Sequence, residues 1–156
     1  MEPIIREMKE EDIEQAANLL LRLKKFNSEH DPLFSLVDNV EEEVKKYLKQ
    51  AVKEQFRDAY VAEYQGKIIG IILADIIDRL FYNPRKEVRI TDIYVLPEFR
   101  KKGLGTELLR ELTKIEKKKG CSVITVEFPT ENLVATKFFK GEGMRSIISI
   151  YGKIIE

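Results

Sequence analysis

The chain has 156 residues, which is enough for a proper hydrophobic core, and we predict that residues 1–156 form a single domain. Lysine plus arginine and aspartate plus glutamate number 27 each, so the formal net charge is zero and the basic excess of a nucleic-acid-binding protein is missing. One cysteine and one histidine exclude an internal disulfide, a cysteine-based metal cage and a multi-histidine metal site.

The hydrophobic pattern shows no apolar run of membrane-spanning length, and acidic residues interrupt the first apolar positions where a signal peptide would lie. We therefore expect a cytoplasmic protein without a membrane partner.

The first half of the chain predicts an opening strand, two helices and an antiparallel hairpin. Apolar residues recur at helical spacing in the helices, and the hairpin turn Gln65-Gly66 has glycine at its second position, as positive φ angles favour. The predicted elements are a strand at Ile4-Ile5, a helix from Ile13 to Lys24, an irregular segment Phe26–Asn39, a helix starting near Asn39, and strands Tyr60–Tyr64 and Lys67–Ala74.

The second half predicts a strand, a long amphipathic helix, a short strand, a short helix and a strand-like end. This mixed order indicates an α/β or α+β sandwich around one mixed sheet. The predicted elements are a strand Val88–Leu96, a helix beginning at Leu104 and ending before Gly120, a strand Ser122–Phe128, a helix Leu133–Gly141, and a closing pair of strands or one long bent strand over Met144–Ile155.

The loop before the long helix is the most informative segment, with the sequence Arg100-Lys101-Lys102-Gly103-Leu104-Gly105-Thr106. Free N–H groups and a partial positive charge make a helix N-terminus an anion site. The glycines permit close approach of the backbone, and the three cations add charge beside it. The loop lacks the G-K-S/T of a Walker loop and the third glycine of a dinucleotide fingerprint. It predicts a site for a small polyanionic ligand.

This loop resembles the R/Q-x-x-G-x-G/A loop by which the GNAT superfamily of N-acetyltransferases holds the pyrophosphate of acetyl-CoA. A second segment, residues 132–144, resembles that family's N-x-x-A-x-x-F/L-Y-x-x-x-G-F pattern. The resemblance covers nearly the whole chain, and it implies a GNAT-like acyl-CoA N-acyltransferase fold with a central, mostly antiparallel sheet flanked by helices. The implied cofactor-binding residues are Ile93, Tyr94, Val95, Arg100, Lys101, Lys102, Gly103, Leu104, Gly105, Thr106, Asn132, Ala135 and Phe139.

Phe139 departs from the family pattern, which often has a tyrosine there that is proposed to protonate the leaving CoA thiolate. Phenylalanine has no proton to give. Tyr94 and Tyr151 are candidate replacements, and water is another, because a thiolate whose conjugate acid has a pKa of about 8.5 is a tolerable leaving group.

The resemblance implies direct transfer, in which an uncharged amine attacks the thioester and a backbone N–H of Ile93, Tyr94 or Val95 stabilises the oxyanion. Because an alkylammonium has a pKa of about 10.4, a carboxylate or a water chain must take its proton. Many relatives have glutamate where this chain has Thr91, so the acid there is either missing or displaced by one residue to Asp92. Because neighbours on a strand point to opposite faces, Asp92 is either a candidate base or simply a solvated or hydrogen-bonded strand residue. The further candidates are Glu127, Glu63 and Asp75.

Two segments are candidates for the side that binds the acceptor. The irregular segment around His30 and Phe34 lies where the family's variable substrate loop is found, although a lone histidine in a polar loop is also compatible with simple exposure. Phe81 and Tyr82 either line an acceptor pocket or cover the sheet.

The sequence therefore predicts an acetyl-CoA-dependent N-acetyltransferase that uses no metal and acts on a primary amine of a small molecule, a peptide or a protein. The alternative is a non-catalytic acetyl-CoA or CoA-binding sensor on the same fold, which Phe139 and Thr91 motivate. The apolar residues within Ser146–Ile155 suggest pairing with a second copy, and hence a homodimer.

Overall fold

A computed structural model describes residues 2–54 and 57–156 of the chain. The described part forms one mixed sheet flanked by helices, and the predicted α/β fold is confirmed. None of its helices has the length and the apolar character needed to cross a membrane. The elements are β1 Ile4–Glu7, α1 Ile13–Ser28, α2 Val40–Lys53, β2 Arg57–Tyr64, β3 Lys67–Asp78, β4 Lys86–Val95, α3 Leu104–Lys118, β5 Val123–Val126 and α4 Leu133–Gly141.

The five strands lie side by side in chain order, from β1 to β5. The first four are antiparallel neighbours, whereas β5 runs parallel to β4 and is reached through the crossover helix α3. Both faces of β3 are covered: Ile71 and Leu73 belong to the apolar cluster that includes α1 and α2, while Ile72 packs with Leu112 of α3. This double burial explains why β3 is a nearly continuous apolar run rather than an alternating one.

The predicted hairpin and the last helix are confirmed closely. Gln65 and Gly66 adopt φ angles of 50° and 79°, as a two-residue turn between right-twisted strands requires. Helix α4 spans the predicted residues Leu133–Gly141. Its first N–H groups are partly satisfied by Asn132, whose side-chain oxygen accepts a hydrogen bond from the Ala135 N–H at 3.0 Å.

Two predictions need correction. Phe26 belongs to α1, which continues to Ser28. The backbone becomes extended at Asp31, because the residue before a proline disfavours the helical region. The closing strands predicted over Met144–Ile155 are not formed, since residues 144–156 are neither helix nor strand. A strand requires a hydrogen-bonded neighbour, and in the described part of the chain β5 pairs with β4 alone.

A buried polar cluster lies at the end of α3, around the Glu116 carboxyl group, which is 1% exposed. The Tyr60 hydroxyl donates to Glu116 Oε1 at 3.2 Å, the Cys121 thiol donates to Oε2 at 3.8 Å, and Lys119 Nζ lies 3.7 Å from Oε1 and 3.2 Å from Asp58 Oδ2. Burial first, and then the neighbouring Asp58, raises the pKa of Glu116 to about 7 from an ordinary value of 4.5. The native state therefore holds a proton that the unfolded chain releases, and stability falls as the pH rises through that interval.

We expect Glu116→Gln to remove this pH dependence. The neutral amide has no desolvated charge, so the variant should be more stable than wild type by about 2 kcal/mol at about pH 8 and nearly equal to it at about pH 4.5. Urea unfolding at the two pH values measures the difference. Glu111→Gln, at a half-exposed position of the same helix, is the matched control. A loss of stability at both pH values would show instead that Lys119 needs an ionised partner.

Candidate functional site

The loop between β4 and α3 ends in a helix start with free backbone donors. A 3₁₀ turn covers Pro97–Lys102, and Gly103 follows in the left-handed region with φ 76°. The first backbone hydrogen bond into α3 runs from the Glu107 N–H to the Gly103 carbonyl at 3.0 Å. The N–H groups of residues 104–106 come before this first bond and have no partner within the helix. Together with the helix dipole, they favour an anion at this end of α3.

The two positions of the loop at which glycine occurs favour it for different structural reasons. A side chain at Gly103 would meet nothing within 4 Å, so its positive φ angle is what favours glycine there. A Cβ atom at Gly105 would lie 3.2 Å from Phe138 Cζ, so the missing side chain makes room for a ring of α4. Gly103 therefore shapes the start of α3, whereas Gly105 lets α3 and α4 approach each other beside it.

The cations of the loop also divide into two groups. Arg100 Nε donates to the Val95 carbonyl at 2.8 Å, and the guanidinium lies 4.9 Å from the centre of the Tyr94 ring. Arg100 thus ties the loop to the end of β4. Lys101 and Lys102 are exposed, so their charges are accessible to a ligand at the start of α3.

An open cleft of about 610 Å³ lies next to the start of α3. Its lining is mainly apolar on the α4 side, and one cation stands at its edge. The lining residues are Thr106, Val134, Lys137, Phe138, Gly141 and Glu142. The cleft provides space for an extended ligand whose anionic part is held at the helix start.

β4 and β5 separate halfway along β4. They pair from Glu87 opposite Val123 to Ile90 opposite Val126, and the Glu127 N–H still donates to the Ile90 carbonyl at 3.0 Å. Beyond this point β4 continues to residue 95 with β3 as its strand neighbour in the described chain. The backbone of residues 91–95 therefore has an open edge that faces the gap between the two strands.

A β-bulge lies at the same place on β4. Leu73 of β3 is opposite Asp92 and Ala74 is opposite Ile90, which leaves Thr91 as the extra residue. Bulges redirect side chains and occur often beside active sites. The Thr91 hydroxyl donates to Asp92 Oδ2 at 2.9 Å, so the residue at the family's glutamate position is a hydrogen-bond partner of the adjacent acid.

Asp92 is 4% exposed and forms an ion pair with a lysine of α1, the helix packed on the sheet. Lys24 Nζ lies 2.6 Å from Asp92 Oδ1. Tyr47 of α2 lies close by: burial and then the charge of Asp92 raise the pKa of its phenol, and the Arg57 guanidinium stacks 4.7 Å from its ring centre. These groups form a polar cluster between the sheet and the first two helices.

Lys24 and Tyr47 were not predicted as site residues. Ala16, Leu20 and Lys24 are spaced four residues apart on α1, and the first two are fully buried. A charged residue at the next position of this inward-facing row signals a buried partner, although the sequence does not say which carboxylate it is.

Phe139 is buried in an aromatic stack. Its ring lies 5.6 Å from Phe128 in a nearly parallel arrangement and 4.9 Å from Phe138 edge to face. The position that often carries a tyrosine in the family therefore supports packing between α4 and the end of β5. Asn132 and Ala135 form the N-terminal cap of α4 at the other end of this helix.

His30 and Phe34 follow α1 at the end that carries Lys24. His30 lies six positions after Lys24 and two residues beyond the end of α1 at Ser28. The His30 ring packs edge to face on Phe26 at 4.7 Å, and its Nε2 atom is buried without a hydrogen-bond partner in residues 2–54 and 57–156. Phe34 is partly exposed on the connection between α1 and α2.

The structure does not bring Phe81, Tyr82 or Tyr151 to this cluster. Phe81 and Tyr82 lie in the β3–β4 loop, before Lys86, and Asp92 is six residues further along β4, about 20 Å at the rise of a strand. Tyr151 is 95% exposed in the C-terminal segment. Of the two tyrosines considered as replacements for the family tyrosine, Tyr94 lies at the open edge of β4.

Comparison with known proteins gives one consistent family. The model of the Acetyltransferase (GNAT) family matches residues 22–144. An uncharacterized N-acetyltransferase of Methanocaldococcus jannaschii is 30% identical over 97 residues, which are 62% of this chain and 43% of the relative, so the match spans less than half of that protein.

Two solved structures share the fold. A tetramutant of a Bacillus halodurans protein superposes with a TM-score of 0.84 at 19% identity, covering 97% of this chain and 99% of that one. An aminoglycoside N-acetyltransferase in complex with CoA superposes with a TM-score of 0.75 at 20% identity, covering 97% and 95%.

The ion pair between Lys24 and Asp92 predicts a specific stability effect. Lys24→Met leaves a buried carboxylate with the Thr91 hydroxyl as its donor. We expect a loss of about 2 kcal/mol in the free energy of unfolding at pH 7, less than the roughly 3–5 kcal/mol for a fully buried pair because Lys24 is partly exposed. Lys25→Met, at the exposed neighbouring position, should change stability little. Urea unfolding compares the two variants, and equal effects would contradict the ion pair.

Proposed function

This chain belongs to the GNAT acetyltransferase family, and from that premise we propose that it is an acetyl-CoA-dependent N-acetyltransferase acting directly on a primary amine of a small molecule, a peptide or a protein. The observation that carries the proposal is the left-handed Gly103 at the start of α3, placed between the α3–α4 cleft and the open edge of β4. The CoA bound to the aminoglycoside N-acetyltransferase of the same fold supports the choice of donor.

The residues present fit acetyl-CoA. The N–H groups of residues 104–106, with Lys101 and Lys102, match the charge of a pyrophosphate. The open edge of β4 at residues 93–95 offers backbone N–H donors to the amides of the pantetheine arm, while the Val95 carbonyl already accepts from Arg100 Nε. Helix α4 borders the cleft on the other side. We assign Asn132, Ala135 and Phe139 to the wall along that arm, which they form by shape and packing.

When bound, acetyl-CoA supplies a thioester: the amine nitrogen gives its lone pair to the new C–N bond, the C–S bond breaks with its electron pair on sulfur, and one amine proton goes to a base. The protein's part is to position the amine, to polarise the carbonyl and to take the proton. A backbone N–H of residues 93–95 is the proposed donor to the carbonyl oxygen, because this stretch has no partner strand on that edge in the described chain.

Asp92 is the proposed base. Its carboxylate lies next to the bulge, within the open-edged stretch of residues 91–95. One of its oxygens is paired with the ammonium group of Lys24 at 2.6 Å. A carboxylate that binds the lysine side chain in this way is suited to bind the ammonium form of an acceptor and to accept its proton. Binding of the acceptor then displaces Lys24, which is partly exposed.

Position 139 holds phenylalanine, so no tyrosine there can protonate the leaving thiolate. We propose that Tyr94 or water protonates the thiolate, since Tyr94 lies at the open edge and Phe139 is enclosed by aromatic rings. On the acceptor side, we assign His30 and Phe34. The unpartnered Nε2 atom of His30 supports a polar contact with the acceptor.

A second function on the same fold is a sensor that binds acetyl-CoA or CoA without turnover. Two observations favour this sensor function. The Asp92 carboxylate is already paired with Lys24, and the Phe139 ring cannot donate a proton. CoA binding without transfer to any amine of a broad panel would select this function over the enzyme.

The donor site is tested by calorimetric titration of acetyl-CoA into wild type and Gly103→Asp. Aspartate tolerates the left-handed region, so the loop should persist, while its charge repels the pyrophosphate and should weaken binding by about 100-fold. Gly66→Asp is a matched control, because Gly66 has φ 79° and open space around it, yet lies in the β2–β3 turn. Absence of binding by folded wild type would overturn the proposal.

The base is tested by Asp92→Asn in an assay of CoA thiol release with the best amine of a panel. The amide cannot take a proton, so the transfer rate should fall by about 10²- to 10³-fold while the affinity for acetyl-CoA stays unchanged. Asp75→Asn, which removes a carboxylate paired with Arg57 at 2.9 Å on the neighbouring strand, should retain the rate. A full rate in Asp92→Asn would assign proton removal to water.

A further inference from the structure

The chain carries a primary amine of its own at the proposed base. Lys24 Nζ lies 2.6 Å from Asp92 Oδ1, and this carboxylate is its one side-chain partner in the part of the chain that the structure describes. The lysine side chain is 38% exposed and that of Asp92 is 3% exposed, so the amine stands at the border between the buried carboxylate and solvent. An ε-amino group belongs to the class of acceptor that the proposed reaction uses.

Helix α1 holds this amine over the open end of β4. Leu20, one turn before Lys24, belongs to the same apolar cluster as Val95 at the end of β4. Because residues four apart lie on one face of a helix, the Lys24 side chain leaves α1 on the side that packs on this end of the sheet. The packing of α1 therefore determines where the amine is held.

The amine is also close to the backbone donors of the proposed reaction. Asp92 and Ile93 share a peptide bond, and one residue of a strand covers about 3.3 Å. Lysine carries its ammonium group on a flexible four-carbon stem, so Nζ can leave the carboxylate and approach a carbonyl group at residues 93–95 while α1 stays in place.

Lys24 differs in this respect from the other lysines. Among the described lysines that pair with a carboxylate, it alone pairs with a residue of β4. Lys119 lies 3.2 Å from Asp58, but it follows the last residue of α3, about 22 Å from the helix start that is proposed to hold the donor. Lys25, the next residue along α1, is exposed and has no ion pair in residues 2–54 and 57–156.

We propose that the protein acetylates its own Lys24 when it holds acetyl-CoA and no external acceptor. This self-acetylation rests on the proposed function, because it uses the same donor and the same base. Asp92 accepts a proton from the Lys24 ammonium group, and the lone pair of Nζ forms the C–N bond to the thioester carbonyl carbon. The C–S bond breaks with its electron pair on sulfur. Of the two protons that Nζ loses, Asp92 passes one to water and the other ends on the sulfur.

Acetylation replaces the ion pair by a neutral amide. Asp92 then loses the cation that offsets the cost of its burial. The acetylated protein should therefore unfold at a lower urea concentration than the unmodified protein, in the same direction as Lys24→Met. Equal unfolding midpoints would contradict a modification at this ion pair.

The first test is incubation of wild type with acetyl-CoA and no added amine, followed by cleavage after glutamate and peptide mass spectrometry. Cleavage gives a peptide of residues 15–29, whose fragments distinguish Lys24 from Lys25. We expect one acetyl group on Lys24, acquired at least about tenfold faster than on Lys25 or Lys119, because the amine is held beside the base. Equal rates at the three lysines would show chemical reaction of surface amines and would overturn the proposal.

Two variants identify the route of transfer. Asp92→Asn keeps the amine but lacks the base, so the acetylation rate of Lys24 should fall by about 10²- to 10³-fold. Asp75→Asn, on the neighbouring strand, is the matched control and should keep the wild-type rate. Lys24→Arg retains a cation for Asp92 and should leave the peptide of residues 15–29 unmodified. An unchanged rate in a folded Asp92→Asn variant would overturn the proposal.

Dilution shows whether the amine and the donor belong to one copy of the chain. At saturating acetyl-CoA, transfer within one copy predicts that the fraction of Lys24 acetylated per unit time stays constant over about a tenfold dilution of the protein. A fraction that falls in proportion to the protein concentration would assign the reaction to a second copy and overturn the proposal.

Calorimetry and the amine panel separate failure of the self-acetylation from failure of the proposed function. A protein that binds acetyl-CoA and acetylates an external amine, but leaves Lys24 unmodified, overturns the self-acetylation alone. Binding of acetyl-CoA without acetylation of Lys24 or of any external amine overturns both, and so does a folded protein that does not bind acetyl-CoA.

Discussion

The strand β4 is the constraint on which the rest of the site depends. It is hydrogen-bonded to β3 through residue 95, but to β5 only as far as Ile90. Since backbone groups need partners, the unpaired edge beyond Ile90 is where a ligand with amides can replace a strand. The bulge at Thr91 lies at the same point. One irregularity of the sheet therefore determines both the position of the proposed base, Asp92, and the start of the open edge.

The ion pair of Asp92 and Lys24 couples this edge to α1. A buried carboxylate is costly without a cation, and the lysine that neutralises it comes from the helix leading into the proposed acceptor side. The same interaction therefore holds α1 over the sheet and keeps the proposed base paired with a cation. At position 139 a phenylalanine ring packs against Phe128 and Phe138, and a hydrocarbon ring cannot donate a proton.

Local patterns predicted most elements and the anion site, because their causes lie within a few neighbouring residues. The hairpin turn needs two positive φ angles, which Gln65 and Gly66 adopt, and the helix start needs the glycine at position 103. The same local logic failed for Met144–Ile155, where the pattern of a strand is present but its partner is absent from the described chain. Phe81 and Tyr82 were predicted either to line an acceptor pocket or to cover the sheet, and the structure places them in the β3–β4 loop, at the far end of β4 from its open edge.

By itself the sequence determined the α/β order of elements, the apolar faces and the loop from Arg100 to Thr106, since these follow from periodicity, capping and charge. Tertiary structure alone decided that Lys24 meets Asp92 across 67 intervening residues, that Gly105 accommodates Phe138, and that β5 is left as an open edge. The physical reason is that ion pairs, ring packing and sheet edges depend on which surfaces meet in space, and residues distant in the sequence do not encode that meeting in any local pattern.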